Sequence, residues 1–337
     1  MNLNIEQLKS ITLGAEYIDE NENGFVFHRF SKKEEEVYAD RTESMRLKTM
    51  APANVTIECV TDAKAVDISV LTKTAGTRFY YTVDVYANGE FVGRLRNHKD
   101  EDYNSAYSAR KFELGENSGR FELPEGEVAL KIYMPWSVVT ALEHLTLEGA
   151  TYIKPIKRDK FMIIYGDSIT QGYDAFYTPK SYAVRLAEAL GAEAVNKAIG
   201  GERFIPALSA VKNARKPDYI TVAYGTNDWS KSDLDVFTKD SEEFYKNLAE
   251  NYPDTKIFAI SPIWRADMDG VRPIGAFFDV HNHIKSIADK YDNITYIEGI
   301  DLVKHDKAVY VDSRLHPNDD GYDYYFDNLY AEIKKYI

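Results

Sequence analysis

Four short segments in the second half of the chain carry residue types that perform acyl chemistry when they meet: a hydroxyl, an imidazole and a set of N–H donors. The first is Gly166-Asp167-Ser168-Ile169-Thr170, which follows the apolar run Phe161–Tyr165. Gly166 permits a sharp turn, and Ser168 then stands near a helix N-terminus, where a backbone N–H faces a developing oxyanion. Read alone, Ser168 is either a nucleophile or a helix N-cap. Thr170 stands where a G-x-S-x-G elbow has its second glycine, so this is a different motif. The second segment runs from Asn196 to Gly200-Gly201, a pair that lets the backbone approach a ligand or simply turns tightly. In the third, Tyr224-Gly225-Thr226-Asn227-Asp228-Trp229, the Asn227 amide either caps a helix or points an N–H at developing charge. The fourth, Val311 to Asp319, contains Asp312 and His316. A serine nucleophile needs a base, and histidine is the side chain that titrates near neutrality.

These segments must be held by elements that end at one place. After Gly149 short apolar runs alternate with amphipathic stretches. The strands expected are Phe161–Tyr165, Ala194–Ile199, Tyr219–Tyr224, Lys256–Ser261 and Ile294–Ile297. The helices expected are about 181–190, 234–251, 274–290 and 321–337, with Gly191 as a C-cap. Such alternation implies a parallel sheet covered on both faces, with ligands at the carboxyl ends of its strands, where all four segments fall. The first half differs. From about Phe25 to Gly149 it is a series of short period-two runs, such as Asn54–Val60, Lys64–Leu71 and Arg78–Ala87, with Asn88-Gly89 as a hairpin signal. That texture predicts an all-β sandwich over residues 1–152, followed by an α/β domain over 153–337. Ala150–Lys160 reads as linker and strand lead-in, and Lys32-Lys-Glu-Glu-Glu36 as a solvated turn or surface face.

In this order the four segments resemble the SGNH (GDSL-like) hydrolase superfamily: Gly166-Asp-Ser-Ile-Thr its first block, Asn196–Gly201 its second, Gly225-Thr-Asn-Asp its third and Leu315-His-Pro its last. The resemblance covers about Lys160 to Ile337. It implies a flavodoxin-like three-layer α/β/α domain with Ser168 as nucleophile and His316 as general base. It also implies an oxyanion hole from the Ser168 N–H, the Gly201 N–H and the Asn227 side chain. An N-terminal β-sandwich, jelly-roll-like, accompanies this domain in some carbohydrate esterases, and Tyr133-Met-Pro-Trp136 suits that arrangement. One departure stands out. The family's acid lies three residues before the histidine; here that residue is Ser313, and Asp312 lies four before. Either Asp312 orients His316 after a loop adjustment, or a backbone carbonyl does and the enzyme is a Ser-His dyad.

Around this core, Trp229, Trp264, Arg265, Tyr173 and Asp174 are candidates for substrate binding, the indoles by stacking on a sugar face or else by core packing. His281 and His283 read as surface histidines, since i and i+2 do not share a helix face. Asp267-Met-Asp269-Gly270 reads as a turn, because no glutamate follows at calcium-loop spacing.

Composition limits the partners. The 337 residues carry 41 Lys+Arg against 54 Asp+Glu, a formal charge of −13, which disfavours phosphate backbones and anionic membranes. The chain is 44% hydrophobic and 28% charged, as a globular protein is, and its single Cys59 excludes an intrachain disulfide. No leader pattern or membrane-length apolar run is visible, so a cytoplasmic location is expected. No metal or organic cofactor is expected, and no Walker or dinucleotide glycine pattern occurs. The expected function is a serine esterase that removes a small acyl group, acetyl foremost, from a carbohydrate. The alternatives are a lipase or thioesterase, or a carbohydrate-binding protein that has lost catalysis. The sugar and the oligomeric state are not legible.

Overall fold

Period-two alternation in the first half builds two antiparallel sheets in the computed structural model, which describes residues 1–100 and 112–337. One sheet runs Thr12–Leu13, Thr56–Thr61, Val128–Tyr133, Thr82–Ala87, Glu90–Arg96, with Ile153–Pro155 sharing the outer edge of Thr56–Thr61. The other runs Tyr17–Asn21, Gly24–His28, Val138–Glu148, Ala65–Ala75, Glu116–Glu122. Their inward side chains, among them Ile57, Val85 and Ile132 from the first sheet and Ile68, Val70 and Leu142 from the second, form one apolar core. That is the signature of a sandwich. Cys59 lies in this core, and burial pushes its thiol up to about 12, which makes it an inert apolar filler.

Three sequence readings need correction here. Ile153–Pro155 is a strand of the sandwich and not a linker, so the first compact unit extends to Arg158. That unit also takes in Phe176–Pro179, where the Thr178 N–H reaches Thr82 Oγ1 at 3.3 Å and the Phe176 ring packs against His98. Lys32–Val37 is a helix and not a turn: Ser31 and Glu34 form a reciprocal capping box at its start. Ile5–Ile11 and Glu43–Thr49 are further short helices in a half read as all-β.

The second unit, Asp159–Ala175 with Lys180–Ile337, holds a five-stranded parallel sheet in the order Ala192–Asn196, Lys160–Gly166, Tyr219–Ala223, Lys256–Ile260, Ile294–Ile297. In chain order this is 2-1-3-4-5, the flavodoxin-like doubly wound arrangement, whose ligand crevice lies where the order reverses, outside the first and third strands. Met162 and Ile164 face one side, in a core with Tyr182 and Leu186 of helix Tyr182–Ala189 and Tyr322, Tyr325 and Leu329 of helix Asp319–Ile333. Tyr165 faces the other side and meets Phe244 of helix Leu234–Asn251 at 5.4 Å. The helix expected over 274–290 starts only at Phe277, because Val271–Arg272 and Gly275–Ala276 pair as a small hairpin before it.

Candidate active site

The first parallel strand ends at Gly166, and a four-residue helix, Ser168–Gln171, begins almost at once. Gly166 is needed for space: a Cβ there would stand 2.2 Å from Thr170 Oγ1. The helix N-cap is Asp167, whose carboxylate accepts the Ile169 N–H at 3.0 Å. The serine hydroxyl is therefore not used for capping. Ser168 Oγ lies 2.9 Å from His316 Nε2. Burial pushes the Asp167 carboxyl up to about 6, against the Ile169 N–H and the positive field of His316, Arg265 and Lys231.

His316 comes from a tight loop between Tyr310 and Pro317, which form a bridge, with the Val311 N–H on the His316 carbonyl at 2.9 Å. Ser313 occupies the left-handed region at φ 53°, and this absorbs the extra residue in the loop. The Asp312 carboxylate consequently turns inward. Its Oδ1 accepts the N–H groups of Arg314, Leu315 and His316 at 3.0, 2.7 and 3.1 Å. Its Oδ2 lies 3.0 Å from His316 Nδ1. Burial alone raises this carboxyl, but the hydrogen bond and charge of His316 and the backbone N–H donors win and hold it well below the usual carboxylate range.

The second and third segments close around the serine turn. Asn196 donates to the Thr170 carbonyl at 2.8 Å and accepts the Ala198 N–H at 2.9 Å, while Gln171 Oε1 accepts the Gly200 N–H at 2.8 Å. These two buried amides stitch the Ser168 turn to the Gly200-Gly201 loop. Sequence reasoning gave them no role; the only signal is an amide placed at a strand end and another inside the serine motif. At Gly200 any Cβ would stand 2.4 Å from the Tyr173 ring. Asn227 sits inside helix Thr226–Lys231, whose N-cap is Gly225, so it does not cap. It reaches back instead, and its Nδ2 donates to the Glu202 carbonyl at 3.1 Å, next to Gly201. Among the described residues, neither the Ser168 N–H nor the Gly201 N–H is donated to a protein acceptor.

The residues expected to bind substrate fare differently. Trp229 is 0% exposed: its Nε1–H donates to the Gly275 carbonyl at 3.1 Å, its face carries the Arg265 and Arg272 guanidinium groups, and Phe277 meets it edge-on. Arg265 is 2% exposed and spends its donors on Asp267, on Thr226 O and Oγ1 and on Ser230 Oγ. Both are packing residues with their polar capacity used internally. Tyr173 and Asp174 are also buried; the Tyr173 ring lies over His316 at 5.9 Å. Only Trp264 is partly exposed, one face stacked on His305. His281 is not a surface residue but is buried against Glu298; His283 is partly exposed and meets Ser241 Oγ at 3.0 Å. Asp267 receives Arg265, Arg272 and Arg314. A cleft of about 760 Å³ between helices Leu234–Asn251 and Phe277–Ala288 is lined by Asp235, Lys239, Glu242 and Lys246, and by none of the motif residues.

Residues 164–324 match the family model described as GDSL-like Lipase/Acylhydrolase. A search of curated protein sequences finds no match. Among solved structures, the chain resembles the salicylyl-acyltransferase SsfX3 from a tetracycline biosynthetic pathway, with a TM-score of 0.80 at 17% identity, over 96% of this chain and 94% of that one. It also resembles a protein from Bacteroides ovatus described as a GDSL-like lipase, with a TM-score of 0.76 at 16% identity, over 99% and 97% of the two chains. A third is a family two carbohydrate esterase from Clostridium thermocellum in complex with cellohexaose, with a TM-score of 0.63 at 16% identity, over 83% and 91%. At these identities the likeness is one of fold, and it extends over both halves of the chain. No helix among the described residues is long and apolar enough to cross a membrane.

Proposed function

From the match of residues 164–324 to the GDSL-like lipase/acylhydrolase family model, we propose that the protein is a serine esterase releasing a small acyl group, acetyl foremost, from a carbohydrate. The observation that carries the reading is the continuous relay from Ser168 Oγ through His316 to Asp312, at 2.9 and 3.0 Å. With the ring proton on Nδ1 and donated to Asp312, Nε2 is the acceptor and takes the Ser168 proton as Oγ attacks the ester carbonyl. The carbonyl oxygen becomes an oxyanion, for which the Ser168 and Gly201 N–H groups and the second Asn227 amide hydrogen are the donors. The imidazolium then protonates the departing alcohol oxygen, leaving an acyl-serine. Water, deprotonated by His316, attacks that ester, releases the carboxylic acid and restores the serine. Each step conserves the single proton that His316 carries between oxygens.

The carbohydrate assignment is supported by the fold likeness to the cellohexaose-bound esterase, which covers 83% of this chain. A second reading rests on the similarity to the salicylyl-acyltransferase: the same acyl-serine yields to an alcohol acceptor in place of water. A panel of acetylated oligosaccharides, scored for released acetate and for acetyl moved to an added sugar, separates the two. Acetate release that falls steeply from acetyl to octanoyl esters supports the proposal. Preference for long acyl chains assigns a lipase, and transfer exceeding hydrolysis assigns an acyltransferase.

A further inference from the structure

We propose that Asp174 is a second carboxylate partner of His316, a positioning residue that shares with Asp312 the stabilisation of the imidazolium formed during attack; this rests on the serine-esterase reading above. Asp174 Oδ2 lies 3.7 Å from His316 Nδ1, the same nitrogen that Asp312 Oδ2 meets at 3.0 Å. The longer distance exceeds a hydrogen bond but lies well within the range where an opposite charge favours the charged form of its neighbour. The two carboxylates differ in setting: the side chain of Asp312 is 23% exposed and that of Asp174 is 0% exposed. Water screens a carboxylate buried this deeply far less than it screens one at the surface.

The backbone holds Asp174 in this place. The helix of Ser168 ends at Gly172, and two residues later Asp174 adopts φ 65°, a left-handed conformation that Asp tolerates but does not prefer. The peptides on either side are tied down. The Tyr173 N–H donates to the Ser168 carbonyl at 2.9 Å, the Tyr322 hydroxyl reaches the Tyr173 carbonyl at 2.7 Å, and the Ala175 N–H donates to the Gly172 carbonyl at 3.1 Å. The turn that presents the nucleophile thus continues, within six residues, into the turn that aims a carboxylate at its base. A non-glycine residue kept in a sparsely populated conformation beside reacting groups is the pattern of a functional constraint. His316 thus has two acids on one nitrogen: Asp312 accepts the Nδ1 proton, and Asp174 adds charge and becomes the acceptor after a shift of under an ångström.

Asp174→Asn, Asp312→Asn and the double variant test this in the full chain, since asparagine keeps the side-chain shape and accepts the left-handed conformation. The expected result is a kcat loss of about ten- to a hundred-fold for each single variant with KM little changed, and of about 10⁴-fold for the double, the loss typical when an only acid is removed. A double variant no slower than Asp312→Asn overturns the proposal, as does an Asp174→Asn effect confined to KM or to melting temperature. If Asp174→Asn fails to fold, the His316 Nδ1–H proton resonance of Asp312→Ala decides: a persistent far-downfield signal supports the second acceptor, and its loss overturns it. Ser168→Ala run in the same assay keeps the two readings apart, because full activity there removes the serine-esterase mechanism whatever Asp174 does.

Discussion

The primary amide of Asn227 has two hydrogens, and one of them goes to the Glu202 carbonyl. That bond fixes the plane of the amide and leaves a second hydrogen, the one proposed to meet the oxyanion. Replacing Asn227 by alanine is expected to lower kcat on an acetyl ester by about 10²–10³-fold while KM stays near its wild-type value, because the donor acts mainly on charge that develops in the transition state. A steady-state measurement of both constants checks this; a loss in KM alone contradicts the role. Asn227 also shows what residue type can and cannot reveal. An asparagine after a strand is a helix cap or a donor, and only the position of Gly225 as the cap separates the two. For Trp229 and Arg265 the difficulty runs the other way. Both residue types suit a sugar site, but nothing in the local sequence records that Gly275, Asp267 and Thr226 satisfy their donors in the interior.

At the scale of elements, the loop carrying Asp312 and His316 depends on one residue. Ser313 at φ 53° turns the carboxylate back toward the ring. A left-handed conformation costs a non-glycine residue roughly 1–2 kcal/mol, and more for a β-branched one. Ser313→Gly is therefore expected to keep kcat and to leave stability within about 1 kcal/mol of wild type, the steric relief offset by added chain entropy. Ser313→Val is expected to displace Asp312 and lower kcat by about ten- to a hundred-fold, as small misplacements of catalytic groups do. Kinetics and thermal melting on the two variants check the contrast; equal activities would show that the loop does not rely on this conformation. This loop also marks where legibility stops. The parallel strands are readable as apolar runs such as Phe161–Tyr165, and the doubly wound arrangement puts their ends together, so Ser168 and His316 could be paired from sequence. Whether a carboxylate four residues away reaches the ring is set by a dihedral angle that serine does not encode. The short helices at Ile5–Ile11 and Glu43–Thr49 were invisible for a related reason, since two turns carry too little periodicity to stand out between strands.

For the whole molecule, one buried carboxylate, Asp228, and one half-exposed one, Glu298, give the stability a pH dependence of two opposite signs. Burial raises Asp228 to about 7; its Oδ1 accepts the Phe204 N–H at 3.3 Å, and its Oδ2 has no partner among the described residues. Between about pH 4 and 7 the folded chain keeps a proton on Asp228 that the unfolded chain releases, so this group's contribution falls as pH rises through that window. Glu298 acts the other way. Burial raises it, but hydrogen bonds from His281 and Tyr296 and the charge of His281 outweigh that and lower it to about 2, so its stabilisation is present above its ordinary value and lost on acidification. Asp228→Asn is accordingly expected to melt above wild type at pH 8, by a margin on the order of 1 kcal/mol or more that shrinks toward pH 5. Melting curves across that range check it, and a margin that grows on acidification contradicts the assignment. The central claim is that the chain turns over esters through an acyl group on Ser168, and rapid-quench intact-mass and peptide analysis during acetyl-ester turnover tests it most directly. An acetyl adduct is expected on the peptide carrying Ser168, absent in Ser168→Ala, whose turnover falls by about 10⁶-fold as nucleophile removal does elsewhere. An adduct-free wild type with burst-free kinetics, or a Ser168→Ala variant retaining more than about a tenth of wild-type turnover, would contradict it.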